Sequence, residues 1–397
     1  MRPETSGTPV RVETAMACAG ALASRPWNTV APDGAAGRRW FVMGDPQTSF
    51  ARLARYLDDA GLLGEDGYLA RSVGLVSLGD HFDYAGDDLA VAQEGIAILR
   101  WLAEHPPDQV VILAGNHDLA RVAELAGVDD ARFVAARTAA RDAAVSDEDF
   151  ARAFPDLPVR GVVSRDYSGF CAAQRSLVKA LLLGRRMLLA ASATTPEGTA
   201  LLLTHAGVTT RELTALRIAG TRDPRAIAAR LQRRLDRAVD AVSEDWRGGG
   251  LAPLDLSPLY VAGNAAEEGG GMLYHRPAHP DEATGEKGGA WAEARPRRFD
   301  PRTLPEGLAQ ACGHCGHARC VKDLGSWVSE DARRPGAGLA RTLTRRGTSV
   351  RYALGIHPAE EGAATLYLLD PEMTKGPERV AVMEVAHVEL PPREARS

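Results

Sequence analysis

Four stretches of the chain share one pattern, an unbroken apolar run that stops at a glycine or histidine followed by polar groups. They are Arg38–Gln47 (RRWFVMGDPQ), Gly74–Asp83 (GLVSLGDHFD), Gln109–Leu119 (QVVILAGNHDL) and Ala200–Thr210 (ALLLTHAGVT). Such runs predict strands covered on both faces, as in a parallel sheet. Between the first three, SFARLARYLDDAGLL and DLAVAQEGIAILRWLAEHP repeat their apolar residues at helical spacing, and Pro106 and Pro107 stop the second. Strand, helix, strand, helix, strand predicts a parallel β-α-β-α-β unit. Sheets of that kind carry their chemistry at the carboxyl ends of the strands.

The rest of the chain reads more loosely. Residues 1–37 hold little periodicity and are expected to form an extension that lies on the domain or is partly mobile. Residues 38–397 form the main domain. From about 120 to 190 the pattern is helical and rich in Ala and Arg, a helical insertion capping the sheet. ELTALRIAG and RAIAARLQRRLDRAVDAVSEDW predict two more helices. Gly- and Pro-rich loops run from about 247 to 306, with Tyr274–Pro277 (YHRP) as an island. GLAQACGHCGH (Gly307–His317) leads a short apolar run into His314. TLYLLD (Thr365–Asp370) and RVAVMEVAHVEL (Arg379–Leu390) predict two closing strands joined through Pro371, Gly376 and Pro377.

Composition narrows the classes. With 397 residues and 45% hydrophobic content the chain has ample material for a large core. Its net charge is −5, and 47 basic residues mix with 52 acidic ones. No nucleic-acid or anionic-membrane partner is expected. No run of 18 apolar residues suggests a membrane span. The amino-terminal stretch is too acidic and too broken for a secretory signal. Five cysteines, three of them within nine residues, fit a reducing compartment, so a cytoplasmic location is expected.

The strand tips collect Asp45, Gln47, Asp80, Asp83, Asn116, His117, Asp118, His205 and His314. Carboxylate, imidazole and amide oxygen together suit Mn, Fe or Zn. They exceed the needs of one ion, and an aspartate can bridge two; a pair of ions ~3.5–4 Å apart clamps both oxygens of a phosphoryl displacement. Any one of these residues alone reads as a cap or turn residue. That reading would have to hold at each successive tip. Asp118 suits a helix N-cap better than a ligand. His81 is expected in or behind the pocket, and His275 and His279 on surface loops. Cys312, Cys315 and Cys320 admit a zinc reading, but buried thiols are favoured because His314, between them, faces the centre.

The ordered motifs GDPQ, GDHFD, GNHD, HAG and GH resemble the calcineurin-like metallophosphoesterase superfamily, over roughly residues 38–390. His205, the GMLYHRP loop and the closing strands are most similar to its branch of bacterial serine/threonine phosphatases and diadenosine-tetraphosphate hydrolases. The resemblance implies an α/β fold: a four-layer sandwich of two mixed sheets flanked by helices, with a helical insertion. It implies two divalent metal ions, Mn first, with Fe or Zn as alternatives. Asp45 and Gln47 would hold the first ion, Asp80 would bridge, and Asn116, His205 and His314 would hold the second. His117, oriented by Asp83, would protonate the leaving group as a metal-bridging hydroxide attacks in line. Asn116 and Arg276 are the candidate phosphate ligands, with a solvated loop residue as the alternative for Arg276.

Three departures from the family pattern stand out. Gln47 replaces a histidine, GDHFD lacks the usual D-R-G ending, and GHCGH is one residue longer than GHxH. His317 therefore either reaches the first metal in place of the lost imidazole or sits beside the site. Expected substrates are a phosphorylated small molecule, a nucleotide or a phosphoprotein. A nucleotide or dinucleoside-polyphosphate hydrolase is the alternative enzyme, and a non-catalytic binding or scaffold protein is the alternative outside enzymes.

Overall fold

The computed structural model describes residues 9–392 except 24, 26, 85–88, 284–290, 292, 337 and 374–381. Two mixed sheets carry the fold. The first contains β1 (Arg39–Met43), β2 (Val73–Ser77), β3 (Val110–Leu113) and β4 (Met187–Leu188), all parallel, with β13 (Met383–Val385) antiparallel on the edge beside β1. In the second, β6 (Ala200–Thr204), β9 (Ala309–Cys312) and β12 (Ala364–Leu368) run parallel as β6-β9-β12. Antiparallel β5 (Ala190–Thr194) and β14 (His387–Glu389) extend one side, and β10 (Arg341–Arg346) and β11 (Ser349–Leu354) the other. β7 (Arg276–Pro277) and β8 (Arg298–Phe299) pair separately.

The sheets bury one face against each other. Val42, Val76, Leu78, Val111 and Leu113 from the first meet Ala191, Ala193, Leu201, Leu203, Ala309 and Ala311 from the second. Branched Val and Leu side chains of the first sheet thus face alanines and two leucines of the second. Helices cover the outer faces: α2 (Phe50–Asp59), α3 (Leu89–Glu104) and α8 (Ala172–Leu183) on the first sheet, and α10 (Pro224–Arg247) on β5 and β6. The molecule is thus α/β, with two mixed sheets flanked by helices. Among the described residues no helix is long and apolar enough to cross a membrane.

Several expectations need correction. The extension does lie on the domain, but as a helix, α1 (Val10–Ala23), where little periodicity was expected; its Val12, Ala15, Ala19 and Leu22 are buried in the main core. Their spacing is helical, but small Ala, Gly and Cys residues blur the amphipathic contrast. The helical insertion is shorter than expected. Helices α5 (Asp130–Arg141), α6 (Asp147–Ala153) and α7 (Arg160–Arg165) share a separate core of Phe133, Phe150, Phe154 and Val163. α8 and β4, assigned to it by sequence, pack instead into the sheet layer. The final stretch is two short strands, not one: Ala386 donates to Thr194 O (2.7 Å) where the chain passes from the first sheet to the second. Gly376 and Pro377, expected to join the closing strands, lie outside the described residues. The β10–β11 hairpin was not anticipated. Its Arg- and Thr-rich strands hide a two-residue turn at Gly347-Thr348, with Gly347 at φ +59°.

The register aligns the strand ends. Met43 lies opposite Ser77, and Ser77 opposite Ile112. The chains leaving β1, β2 and β3 therefore emerge at one edge, side by side. A Cβ on Gly79 would come within 2.5 Å of Gly115 N, so the second and third tips touch through bare backbone.

Candidate metal centre

The tips of both sheets converge on one cavity of about 1320 Å³, lined by Asp45, Gln47, Asp80, Asn116, His117, Arg276 and His314 among others. His205 and Asp83 lie fully buried just behind this wall. Asp80 (φ +56°), Asp83 (φ +67°) and His314 (φ +61°) adopt the left-handed backbone region. Non-glycine residues rarely take that region outside tight turns and functional sites.

Hydrogen bonds fix the tautomers at the centre. His205 Nδ1 lies 2.9 Å from Leu78 O, so it carries the proton and leaves Nε2 as an acceptor. His314 Nε2 lies 3.0 Å from Tyr274 O, which leaves Nδ1 as an acceptor. These two free nitrogens are 3.1 Å apart. Asn116 Oδ1 is 3.0 Å and Asp80 Oδ2 3.4 Å from His205 Nε2. Asp80, His205 and His314 form the one group among the described residues whose spacing suits a metal ion. Four acceptors thus face one point with no fixed donor between them. A proton on His205 would serve one neighbour at a time, whereas a cation satisfies all four. The donor set of imidazole, amide and carboxylate fits a borderline divalent metal.

Asp45 is nearby but held differently. Both of its oxygens accept from His314 N, at 3.0 and 2.9 Å. Burial, then the charges of Asp370 and Asp80, push its carboxyl well above the usual range. The Gln47 amide donates from Nε2 to Phe82 O (2.9 Å), which fixes the carboxamide and keeps Oε1 as its free acceptor.

His117 stands at the cavity wall. Its Nδ1 is 2.8 Å from Asp83 Oδ2, and its backbone N donates to Asp80 Oδ1 (2.9 Å). Burial disfavours its charge, but Asp80 and the bond to Asp83 outweigh burial and push it up to about 9. Burial raises Asp83 too, but Arg121 and His117 override it and hold the carboxyl at about 2.

Three supporting groups carry little or no signal in the sequence. Arg121, one helical turn beyond His117, is fully buried and donates to Asp83 Oδ2 (2.6 Å), His117 O (3.0 Å) and Gln174 Oε1 (3.0 Å). Its (i, i+4) spacing from His117 was the available signal. Glu124 accepts from the hydroxyls of Tyr260 and Tyr274 and from Gly263 N (2.9 Å), anchoring the loop that carries Tyr274 O to His314. Asp370, after β12, lines the cavity with Asp45, and nothing in its LYLLDP setting marked it.

The remaining expected residues fall as follows. Asp118 accepts from Gly115 N, Asp80 N and His81 N (2.9, 2.9 and 3.0 Å), so it ties two tips together rather than facing the cavity. His81 bonds Asp118 and Ser77 beneath the site. His317 is turned away: Nδ1 meets Tyr352 OH and Nε2 meets Arg334 O, both at 2.8 Å. Neither ring nitrogen is free for a cation, so His317 does not make up for the imidazole missing at Gln47. His275, expected on the surface, is buried against Phe299 (4.6 Å between rings). Arg276 lines the cavity, and its guanidinium contacts Tyr274 O (3.4 Å) with no carboxylate partner among the described residues. The chain matches no protein-family model and no curated protein.

Proposed function

We propose that this protein is a dinuclear metal-dependent phosphoesterase built on the calcineurin-like sandwich. The observation that carries the reading is the convergence of Asp80, Asn116, His205 and His314 as four acceptors without a donor. Bound divalent ions supply Lewis acidity and an attacking water made acidic enough to act near neutral pH.

The chain's own residues account for the rest. Arg276, free of a carboxylate partner among the described residues, offers a planar fork to phosphate oxygens at the cavity wall. His117, held through Nδ1 by Asp83, turns Nε2 toward the reacting edge, where it can give a proton to a leaving oxygen. Arg121 fixes Asp83 from behind and keeps that carboxylate charged.

Small phosphorylated molecules or nucleotides suit the site better than protein substrates. Arg165 of α7 reaches Glu268 (3.4 Å), which also pairs with Arg297, so the insertion and the Gly/Pro loop join across the cavity mouth. The test is turnover of an aryl phosphate with and without Mn, with metal analysis of the protein. Two ions per chain and hydrolysis abolished by Asp80→Asn support the reading. His117→Ala should lower kcat by ~10²–10⁴-fold. No turnover with any divalent metal would overturn the reading and favour a scaffold role.

A further inference from the structure

The imidazole of His314 is aimed by a backbone carbonyl. His314 Nε2 donates to Tyr274 O (3.0 Å), which commits that nitrogen to the proton and turns Nδ1 to the point shared with His205, Asn116 and Asp80. The same oxygen lies 3.4 Å from Arg276 Nη1. One carbonyl therefore orients both a candidate metal ligand and the guanidinium offered to phosphate. Tyr274 sits in the Gly- and Pro-rich loop, and its own N–H stays inside that loop, donating to Gly271 O (3.0 Å). The place of the carbonyl thus depends on what anchors the Tyr274 side chain.

Glu124 supplies the anchor. It is buried, on the chain segment that begins with the Asn116–His117 tip. A buried carboxylate is costly unless its oxygens are satisfied. Here they accept from three separate points of the loop: the Tyr260 hydroxyl, Gly263 N (2.9 Å) and the Tyr274 hydroxyl (2.8 Å). The two tyrosine rings stack with centroids 5.2 Å apart. The Arg297 guanidinium lies 5.6 Å from the Tyr274 ring centroid, and a Cβ on Gly269 would stand 2.9 Å from atoms of that ring. Tyr274 is thus held at both ends, by Glu124 at its hydroxyl and by His314 at its carbonyl. The segment that carries one candidate ligand, Asn116, therefore also holds the residue that orients another.

We propose that Glu124 and Tyr274 are positioning residues of the metal centre: the Glu124 carboxylate, through the Tyr274 hydroxyl, sets the carbonyl that fixes the tautomer and direction of His314. The proposal rests on the metal-binding reading above. It goes beyond that reading by giving the Gly/Pro loop a part in retaining the ion as well as in closing the cavity mouth. Groups that orient a metal-bound imidazole through its other nitrogen typically carry ~10–100-fold of metal affinity. Tyr260 provides the internal comparison. Both tyrosines bond the same carboxylate, but the carbonyl at His314 belongs to Tyr274.

Metal binding tests this without reference to turnover. Metal-free wild type, Tyr274→Phe, Tyr260→Phe and Glu124→Leu are titrated with Co, whose visible absorption reports the ligand set, and with Mn by calorimetry. Urea denaturation of the metal-free proteins gives the stability of each. Tyr274→Phe and Glu124→Leu should bind ~10–100-fold more weakly than wild type, with an altered Co spectrum. The double variant should lose no more affinity than Glu124→Leu alone, since both changes act through one bond. Tyr260→Phe should lower the urea midpoint about as much as Tyr274→Phe, yet keep the wild-type Co spectrum and most of the affinity. Heteronuclear NMR of the histidine rings in metal-free wild type gives an answer that needs no tyrosine variant to fold. There His314, assigned through His314→Gln, should carry its proton on Nε2. Wild-type affinity and spectrum in Tyr274→Phe, equal losses of affinity in the two tyrosine variants, or a His314 protonated on Nδ1 would overturn the positioning role. A wild type that binds no divalent ion would instead overturn the metal-binding reading, and this proposal with it.

Discussion

At the scale of single residues, buried charge is placed with its partner or left neutral. Arg121 and Asp83 show the first case: two fully buried ionic side chains 2.6 Å apart, with the remaining donors of Arg121 directed to Gln174, His117 and Gly169 carbonyls or amides. His105 shows the second. Its Nδ1 donates to Trp101 O (2.8 Å) and its Nε2 accepts from Leu69 N (3.0 Å), so the neutral ring is satisfied and a second proton would break the bond to Leu69. Burial, with Arg186 adding to it and Asp66 opposing, pushes its pKa down to about 4. The unfolded ring takes up a proton near pH 6.5 and the folded one only near 4. Stability from this group is therefore complete above pH 6.5 and lost as pH falls from 6.5 toward 4, by about 3 kcal/mol in all. His105→Gln, which keeps a donor and an acceptor, should flatten that part of the urea-denaturation pH profile. An unchanged slope between pH 7 and 5 would refute this account.

At the scale of elements, α1 is the clearest case of structure decided by fit. Ala15 lies fully buried where Gly67 passes so close that a Cβ there would stand 2.8 Å from Ala15 N. Only small residues permit that approach. Ala15→Leu should lower stability by about 1–3 kcal/mol through overpacking. Because α1 contributes nothing to the cavity wall, KM should stay unchanged. A urea midpoint equal to wild type would mean that α1 is not docked in solution. The strand tips behave differently. β1, β2, β3 and β6 were legible because a continuous apolar run with an abrupt polar end has few other readings. The β10–β11 hairpin was not, because Arg341 and Thr342 are buried polar residues whose partners are far away in sequence.

At the scale of the whole molecule, the two sheets bring acceptors from five chain segments to one edge, and the folded state carries their mutual repulsion. An ion that binds there binds the native state alone, so it stabilises by mass action, about 2.7 kcal/mol at a concentration 100-fold above Kd. Chelation should lower the melting temperature by several degrees, and added Mn should raise it again with the logarithm of its concentration. A melting curve indifferent to both chelator and Mn would mean that the converging acceptors hold no metal.

What the sequence determined by itself was local: which segments are buried strands, and which polar residues stand at their ends. Asp45, Asp80, Asn116, His117, His205 and His314 could be singled out because hydrophobic periodicity and strand-end position are written in consecutive residues. Tertiary structure alone decided what those residues meet. It turned His317 toward Tyr352, set Arg121 behind Asp83, and brought Asp370 to Asp45 across 325 positions, the difference of their residue numbers. Sheet order and the close backbone passages at Gly44 and Gly79 produce those meetings. They depend on contacts between segments distant in the chain, and no local pattern of apolar and polar residues encodes them.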